Sequence, residues 1–337
     1  MNDIYFERSY GELYEKLENG VCEIFEYKSS LGHIHHLYMK REIPIYSLDK
    51  VYFDIVTPYG YGGPLIIDCK ESDKENLIQG FKKEFQNHCN KNDIISEFVR
   101  FHPVVENGIE FQSIYKVEKD RKTVGTNIFK YEDPVMSEFS KSTRKTIRQI
   151  LNMGISYKVT KKPNFTDISE FKNIYYSTMD RNKATDYYYF NDEYFENCLK
   201  NFKENIILVE VFLEGKVIAA GFYFVYADKI HAHLSGTLKD YLQYSPAYII
   251  KYATVKWAQE NSVKLIHYGG GTTKAENDPL YLFKKKFGKN TEFDFYTGKK
   301  VWNTEIYEKM CKELSLEGEV NYFPKYRYQL NEKEKEA

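Results

Sequence analysis

The chain is poor in the features that would mark a secreted, membrane-spanning or strongly charged protein. Its five cysteines (Cys22, Cys69, Cys89, Cys198 and Cys311) are odd in number, scattered, and never spaced C-x-x-C. That pattern speaks against a disulfide framework and predicts reduced thiols in a cytoplasmic protein. No apolar signal core stands at the start, where Asp3, Glu7 and Arg8 fall instead. The longest uncharged apolar run, Val217 to Ala227, is too short to cross a bilayer and contains Gly221, so a buried strand with a central bend is expected. Lys and Arg number 48 against 49 Asp and Glu, a net charge of −1, so composition carries no global attraction to nucleic acid or membrane. The glycines after Val56 lack the G-x-G-x-x-G spacing of a dinucleotide site. Neither a Ser-His-Asp nor a Cys-His pattern points to a covalent intermediate.

What is present is length and aromatic mass. At 337 residues the chain exceeds the usual size of one core, so two domains are expected. The 31 Tyr and 23 Phe supply a large core and aromatic-lined pockets.

The region from Ile230 to Tyr296 organises the rest. Ile230 to Gly236 alternates as a strand, Leu238 to Ser245 is a polar loop, and Pro246 suits a first helical turn. Ala247, Ile250, Ala253, Thr254, Trp257 and Ala258 repeat at helical spacing. Lys264 to Tyr268 is a short strand ended by three glycines, and Asp278 with Pro279 opens another helix. Strand, loop, helix, strand, glycine turn, helix and strand form a crossover unit. Its first helix presents unpaired N–H groups and a positive dipole end at the carboxyl end of the sheet, a place suited to a phosphate.

Three stretches here, Tyr241-Leu-Gln-Tyr-Ser-Pro-Ala-Tyr, His267-Tyr-Gly-Gly-Gly and Leu280-Tyr-Leu-Phe-Lys-Lys-Lys-Phe-Gly, resemble the C-terminal acyltransferase domain of the Fem-type (FemAB-like) peptidyltransferases of the GNAT N-acyltransferase superfamily. Asp54-Ile-Val-Thr-Pro-Tyr-Gly-Tyr-Gly-Gly-Pro-Leu and Ser142-Thr-Arg-Lys-Thr-Ile-Arg extend the resemblance over about residues 20 to 325. It implies an α/β protein of two tandem GNAT-like domains with mixed central sheets flanked by helices. The expected division is 1–135 for a degenerate N-terminal domain, 136–155 for a basic connecting helix, 156–325 for the catalytic domain and 326–337 for a charged tail. The implied activity is transfer of an aminoacyl group from aminoacyl-tRNA to an amine of a peptidoglycan precursor. Acylation of an amino sugar or surface-polysaccharide precursor from acyl-coenzyme A stays open, as does a non-catalytic RNA- or substrate-binding protein. No tightly bound cofactor and no metal is expected.

Along the chain, helices are expected at Tyr10 to Leu17, Glu75 to Cys89, Met136 to Met153, Phe171 to Arg181 and Tyr194 to Phe202. Ile94 to Phe101, Phe111 to Val117 and Thr123 to Phe129 read as three separate strands. Ile206 to Leu213, Lys216 to Tyr226 and Lys229 to Leu234 read as a meander. Thr291 to Tyr296 and Lys299 to Asn303 read as a hairpin turning at Thr297-Gly298. A helix followed by a charged tail is expected from Lys309 onward. His33, His35 and His36 share an expected strand without a carboxylate or thiol at close spacing, so they are read as half-buried strand residues. Between Phe139 and Thr166 every charged residue is basic: Lys141, Arg144, Lys145, Arg148, Lys158, Lys161 and Lys162. They form either a solvated face or a phosphate-contacting patch.

The resemblance also implies roles. Donor phosphates would meet backbone N–H groups of Gln243, Tyr244, Ser245, Ala247 and Tyr248. The sparse glycine in this loop departs from the usual acyl-coenzyme A signature and favours a tRNA donor. Phe283 and Lys284 match a pair at the reacting centre, with Lys284 stabilising the oxyanion or the leaving group. Tyr281 is a candidate acid, and His233 or His267 a candidate base. Arg181, beside the tyrosine-rich loop that follows it, is a candidate clamp for an anionic substrate group. Tyr59 and Tyr61 are candidate substrate contacts in a Pro/Gly loop that also suits a purely structural use.

Overall fold

A computed structural model describes residues 3–45, 50–314 and 322–328. The strands are β1 (Val21–Ser29), β2 (Gly32–Ile43), β3 (Tyr52–Val56), β4 (Leu65–Cys69), β5 (Ile94–Arg100), β6 (Lys116–Asn127), β7 (Ser156–Lys161), β8 (Ile206–Leu213), β9 (Lys216–Tyr226), β10 (Lys229–Thr237), β11 (Leu265–Gly270) and β12 (Glu292–Val301). The helices are α1 (Arg8–Glu12), α2 (Glu15–Glu18), α3 (Lys74–Lys91), α4 (Asn107–Glu110), α5 (Pro134–Glu138), α6 (Lys141–Asn152), α7 (Phe165–Asn182), α8 (Asp192–Phe202), α9 (Ala247–Glu260), α10 (Pro279–Lys285) and α11 (Thr304–Glu313). They fall into two compact units, Tyr5–Asp120 with Asp294–Ala337, and Asn2–Ile4 with Arg121–Phe293. The chain passes between the units after Ile4, inside β6 and again inside β12. The expected tail 326–337 falls largely outside the described residues.

In the first unit β2 is flanked by β1, β3 and β4, all antiparallel to it. β3 pairs parallel with β5 after a crossover through α3, and β12 adds antiparallel to β5. Leu77, Ile78, Phe81 and Phe85 of α3 pack with Ile34, Tyr38, Val99 and Trp302 in the core. The loop after β3 seals the end of the parallel pair: Thr57 N–H donates to Phe98 O at 3.3 Å, and Gly62 N–H to Arg100 O at 2.8 Å.

The second unit orders its strands β6-β11-β10-β9-β8-β7. The pair β10/β11 is parallel, joined by α9, and its neighbours are antiparallel. The expected meander is therefore present as β8, β9 and β10. α9 packs on β7, β8 and β9, burying Ile249, Ile250, Ala253, Val255 and Ala258. α7 covers β9 and β10, with the Phe171 and Phe222 rings 5.8 Å apart. A reciprocal cap starts α7: Asn164 Oδ1 accepts from Asp167 N–H, and Asp167 Oδ2 from Asn164 N–H.

Several expected elements differ, among them the helix expected at Tyr10 to Leu17, which is split into α1 and α2. Phe111 to Tyr115 is not a strand but a helical turn, with Ile114 N–H and Tyr115 N–H both donating to Phe111 O. Phe111, Ile114 and Tyr115 are spaced i, i+3, i+4, the helical period, and β6 is one strand from Lys116. The helix expected from Met136 to Met153 breaks at Ser140, which caps α6 by accepting from Thr143 N–H at 3.1 Å. Thr297-Gly298 is no turn: both residues pair with β5 inside β12, opposite Arg100 and Val99. Gly298 is needed for space, because a Cβ there would lie 2.5 Å from the Phe101 ring.

Candidate functional site

The second unit contains an opening in its own sheet. β10 and β11 pair over only three positions, ending at His231↔His267. Each strand then bulges against its outer neighbour, at Ala232/Leu234 and at His267/Gly269, while β10 continues to Thr237 and β11 to Gly270. Beyond His231 the two strands therefore leave a wedge with unpaired backbone edges.

α10 delivers the candidate residues to this wedge, and Asp278 aims the helix. Its carboxylate accepts from Tyr281 N–H at 2.9 Å, Thr273 N–H at 2.9 Å, and Thr272 N–H and Thr273 Oγ1 at 3.1 Å. The Tyr281 N–H bond, followed by those from Thr273 and Thr272, pulls its pKa down to about 2. Gly271 leaves room for it, since a Cβ there would sit 2.3 Å from Asp278 Oδ1. Asp278→Ala removes the carboxylate that ties Thr272 and Thr273 to the first turn of α10. Transfer is expected to fall about 10²-fold from misplacement alone, with kcat measured against an unchanged fold by circular dichroism.

The three lysines of α10 point three ways. Lys284 Nζ donates to Gly270 O at 2.6 Å, Lys285 pairs with Glu292, and Lys286 Nζ donates to Tyr248 Oη at 3.0 Å. Lys284 is half-buried, its nitrogen at the strand end on Gly270 O. Burial, then the charges of Lys251 and Arg121, push its pKa down to about 7 against a weaker opposing pull from Asp278. Phe283 stacks edge-on to Tyr248 at 5.4 Å, tying α10 to the first turn of α9. Tyr281 is a poor acid here: its hydroxyl donates to Glu292, and burial with that carboxylate raises its pKa.

Neither histidine is placed to serve as base. His233 occupies the β10 bulge on the α7/α8 side of the sheet, amid Phe190, Phe222 and Phe224, with Tyr194 Oη 2.6 Å from its Nε2. Burial, then His231, pushes its pKa down to about 3. α9 and α10 lie on the other side, where Tyr223 and Tyr268 join their core cluster. His267 is buried with Nε2 2.9 Å from Thr123 Oγ1.

The donor loop also differs from expectation. Lys239–Tyr244 is a 3₁₀ turn, and Ser245 has a left-handed φ of 51°. Ser245 N–H donates to Leu242 O and Tyr248 N–H to Ser245 O, so the turn itself uses both amides. Gln243 and Tyr244 lie inside that turn, and Ala247 is left to open α9.

Arg181, at the last turn of α7, lines an open cleft of ≈ 570 Å³ with Asn173, Tyr176, Ser177, Asp180 and Lys239. It donates to Thr237 O at 2.9 Å and has no carboxylate partner among the described residues. Tyr59 and Tyr61 lie in the first unit, half-buried, where they stack against Tyr14 and edge onto Phe295. In that unit His33 and His35 both meet Glu26, at 2.5 and 2.7 Å, a carboxylate from β1 that spacing along β2 could not reveal.

Lys251 had no signal in the sequence: it is one lysine among many on an amphipathic pattern. In the fold it is 7% exposed, over the Tyr268 ring at 4.6 Å. The cations on α6 are accessible, with Lys141, Lys145 and Arg148 exposed and free of carboxylate partners among the described residues. Lys158 approaches Glu210 at 4.0 Å and Lys162 pairs with Glu204 at 2.5 Å.

Comparison with known proteins agrees with this geometry. The model of the acetyltransferase (GNAT) domain matches residues 137–278. The UDP-N-acetylmuramoylpentapeptide-lysine N(6)-alanyltransferase of Weissella viridescens is 27% identical over 151 residues, 44% of this chain and 44% of that protein, so the match spans less than half of the relative's length. The structure of FemX superposes with a TM-score of 0.69 at 13% identity, covering 91% of this chain and 94% of that one. The C-terminal domain of a putative lysylphosphatidylglycerol synthetase from Agrobacterium fabrum gives 0.57 at 11% identity over 90% of each. At such identities these two likenesses show the fold alone. No helix among the described residues is long and apolar enough to cross a membrane. Residues 137–278 are thus similar to a GNAT acetyltransferase domain, and the described fold is that of the FemX structure.

Proposed function

We propose that the chain moves an aminoacyl group from aminoacyl-tRNA to an amine of a peptidoglycan precursor, in the cytoplasm, where charged tRNA is found. The observation that carries this reading is the wedge after His231/His267 with the Lys284 ammonium at its β11 edge. An amine attacks the ester carbonyl there, the C–O bond to the ribose breaks, and Lys284 meets the charge on the oxygen. The proton lost by the amine ends on the ribose hydroxyl, so no covalent enzyme intermediate is needed. Catalysis belongs to the second unit. The first keeps a strand–helix–strand crossover but closes its end with Thr57 and Gly62, which fits a degenerate counterpart.

Two features support tRNA over acyl-coenzyme A. The Ser245 turn uses the Ser245 and Tyr248 amides internally, and α6 offers exposed cations while packing against α9. Arg181 and Lys239 would receive the anionic part of the acceptor in their cleft. The deciding experiment offers the purified protein uniformly charged tRNA and labelled acetyl-coenzyme A, each with a lysine-containing muramyl peptide. Product from charged tRNA alone is expected, and product from acetyl-coenzyme A alone sinks the reading. Lys145→Gln with Arg148→Gln should weaken tRNA binding and flatten its salt dependence by about two counterions, measured as the slope of log K against log salt.

A further inference from the structure

Lys251 extends from α9 beneath the wedge into a space walled by aromatic rings. Its Nζ lies 4.6 Å from the Tyr268 ring centre, 5.3 Å from that of Tyr223, and 3.3 Å from Tyr223 Oη. Tyr223 pairs with Ala232 at the β10 bulge, and Tyr268 directly follows His267, so both rings border the point where β10 and β11 part. No carboxylate partners Lys251 among the described residues. The tyrosines cannot replace one, because burial raises both their pKa values and Tyr268 Oη lies 2.7 Å from Thr126 Oγ1. A buried amine in such surroundings is costly in its charged form.

The second amine at this strand end is Lys284, two residues along β11 at Gly270 O. The charged groups facing it are Lys251 from α9, Arg121 from β6 and Asp278 from the start of its own helix. Asp278 is held ionised by its four hydrogen bonds and offsets part of the positive charge that Lys251 and Arg121 place near Lys284.

We propose that Lys251 is a positioning residue that acts through Lys284: its buried amine, walled by the Tyr223 and Tyr268 rings at the strand end that Lys284 also reaches, sets positive charge beside Lys284 and makes it a proton shuttle. In the forward reaction the Lys284 ammonium gives its proton to the departing ribose oxygen as the C–O bond breaks. The resulting amine then takes the proton that the attacking nitrogen sheds, restoring the ammonium. A shuttle of this kind works best when its pKa is near the operating pH. Both lysines are pushed down to about 7, Lys251 by burial alone and Lys284 by burial and then Lys251. The proposal rests on the transfer reaction above.

The test compares wild type, Lys251→Met and Lys251→Arg by the pH dependence of kcat/KM and by ¹⁵N NMR titration of the Lys284 amine. Met has similar reach and no charge among aromatic rings, so the fold is expected to hold. Loss of the neighbouring charge should move the Lys284 titration, and the alkaline limb of the rate profile, upward by on the order of one pH unit. Lys251→Arg, permanently charged, should keep it low. An unmoved Lys284 titration in Lys251→Met, while Lys284→Ala still abolishes transfer, overturns this inference and leaves the transfer reaction standing. Transfer surviving in Lys284→Ala overturns both.

Discussion

Lys284→Ala is expected to lower kcat about 10³-fold while the dissociation constant for donor changes little. The magnitude is that of removing one preorganised donor from a developing oxyanion. The selectivity for kcat follows from geometry: Lys284 Nζ reaches the β11 edge at Gly270 O, whereas the cations on α6 that would grip tRNA are separate side chains. Lys284→Arg is expected to recover little, since a guanidinium keeps charge but cannot release its proton near neutrality. Single-turnover rates with charged tRNA, beside filter-binding constants, separate the two effects. A loss confined to binding would move Lys284 out of the chemical step.

How much of this was legible beforehand depends on whether a residue acts through local pattern or through a long-range neighbour. The Asp278-Pro279 helix start was legible because a cap and a proline act within one turn, and the structure supplies the capping bond. The strands at Ile206, Lys216 and Lys229 were legible from the turn signals Glu214-Gly215 and Asp228 between them. The Thr297-Gly298 step misleads because a glycine inserted for space beside Phe101 looks the same in sequence as one inserted for a turn. His233 misleads similarly: alternation places it on a strand, but the bulge at Ala232/Leu234 decides which side it faces. Lys251 was invisible since nothing local distinguishes a lysine aimed at solvent from one aimed at Tyr268. The Glu26 partner of His33 and His35 needed the register of β1 on β2.

The Phe287-Gly288 step at the end of α10 is where the fold and the site share one support, and substitutions there have the largest expected effect on stability. Phe287 is fully buried, its ring edge-on to Phe139 at 5.1 Å, Phe283 at 5.2 Å and Tyr248 at 5.3 Å. Its carbonyl accepts from Thr126 Oγ1 at 2.6 Å. Phe287→Ala leaves a cavity between α9, α10 and β6 and should cost about 3–5 kcal/mol, lowering Tm by roughly 10 °C. Gly288→Ala acts by a different route. Its Cβ would lie 1.8 Å from the carbonyl oxygen of Gly125, a backbone atom that cannot swing aside, so α10 must lift off β6. Lys284 lies on that helix, and the lift carries its ammonium away from Gly270. Gly288→Ala therefore loses transfer even where folded protein is recovered, whereas Leu282→Ala, at a 47% exposed position on the same helix, changes neither Tm nor kcat appreciably. Thermal unfolding and single-turnover rates on the three variants check this, and a Gly288→Ala protein with wild-type Tm and rate would show that β6 does not hold α10 in place.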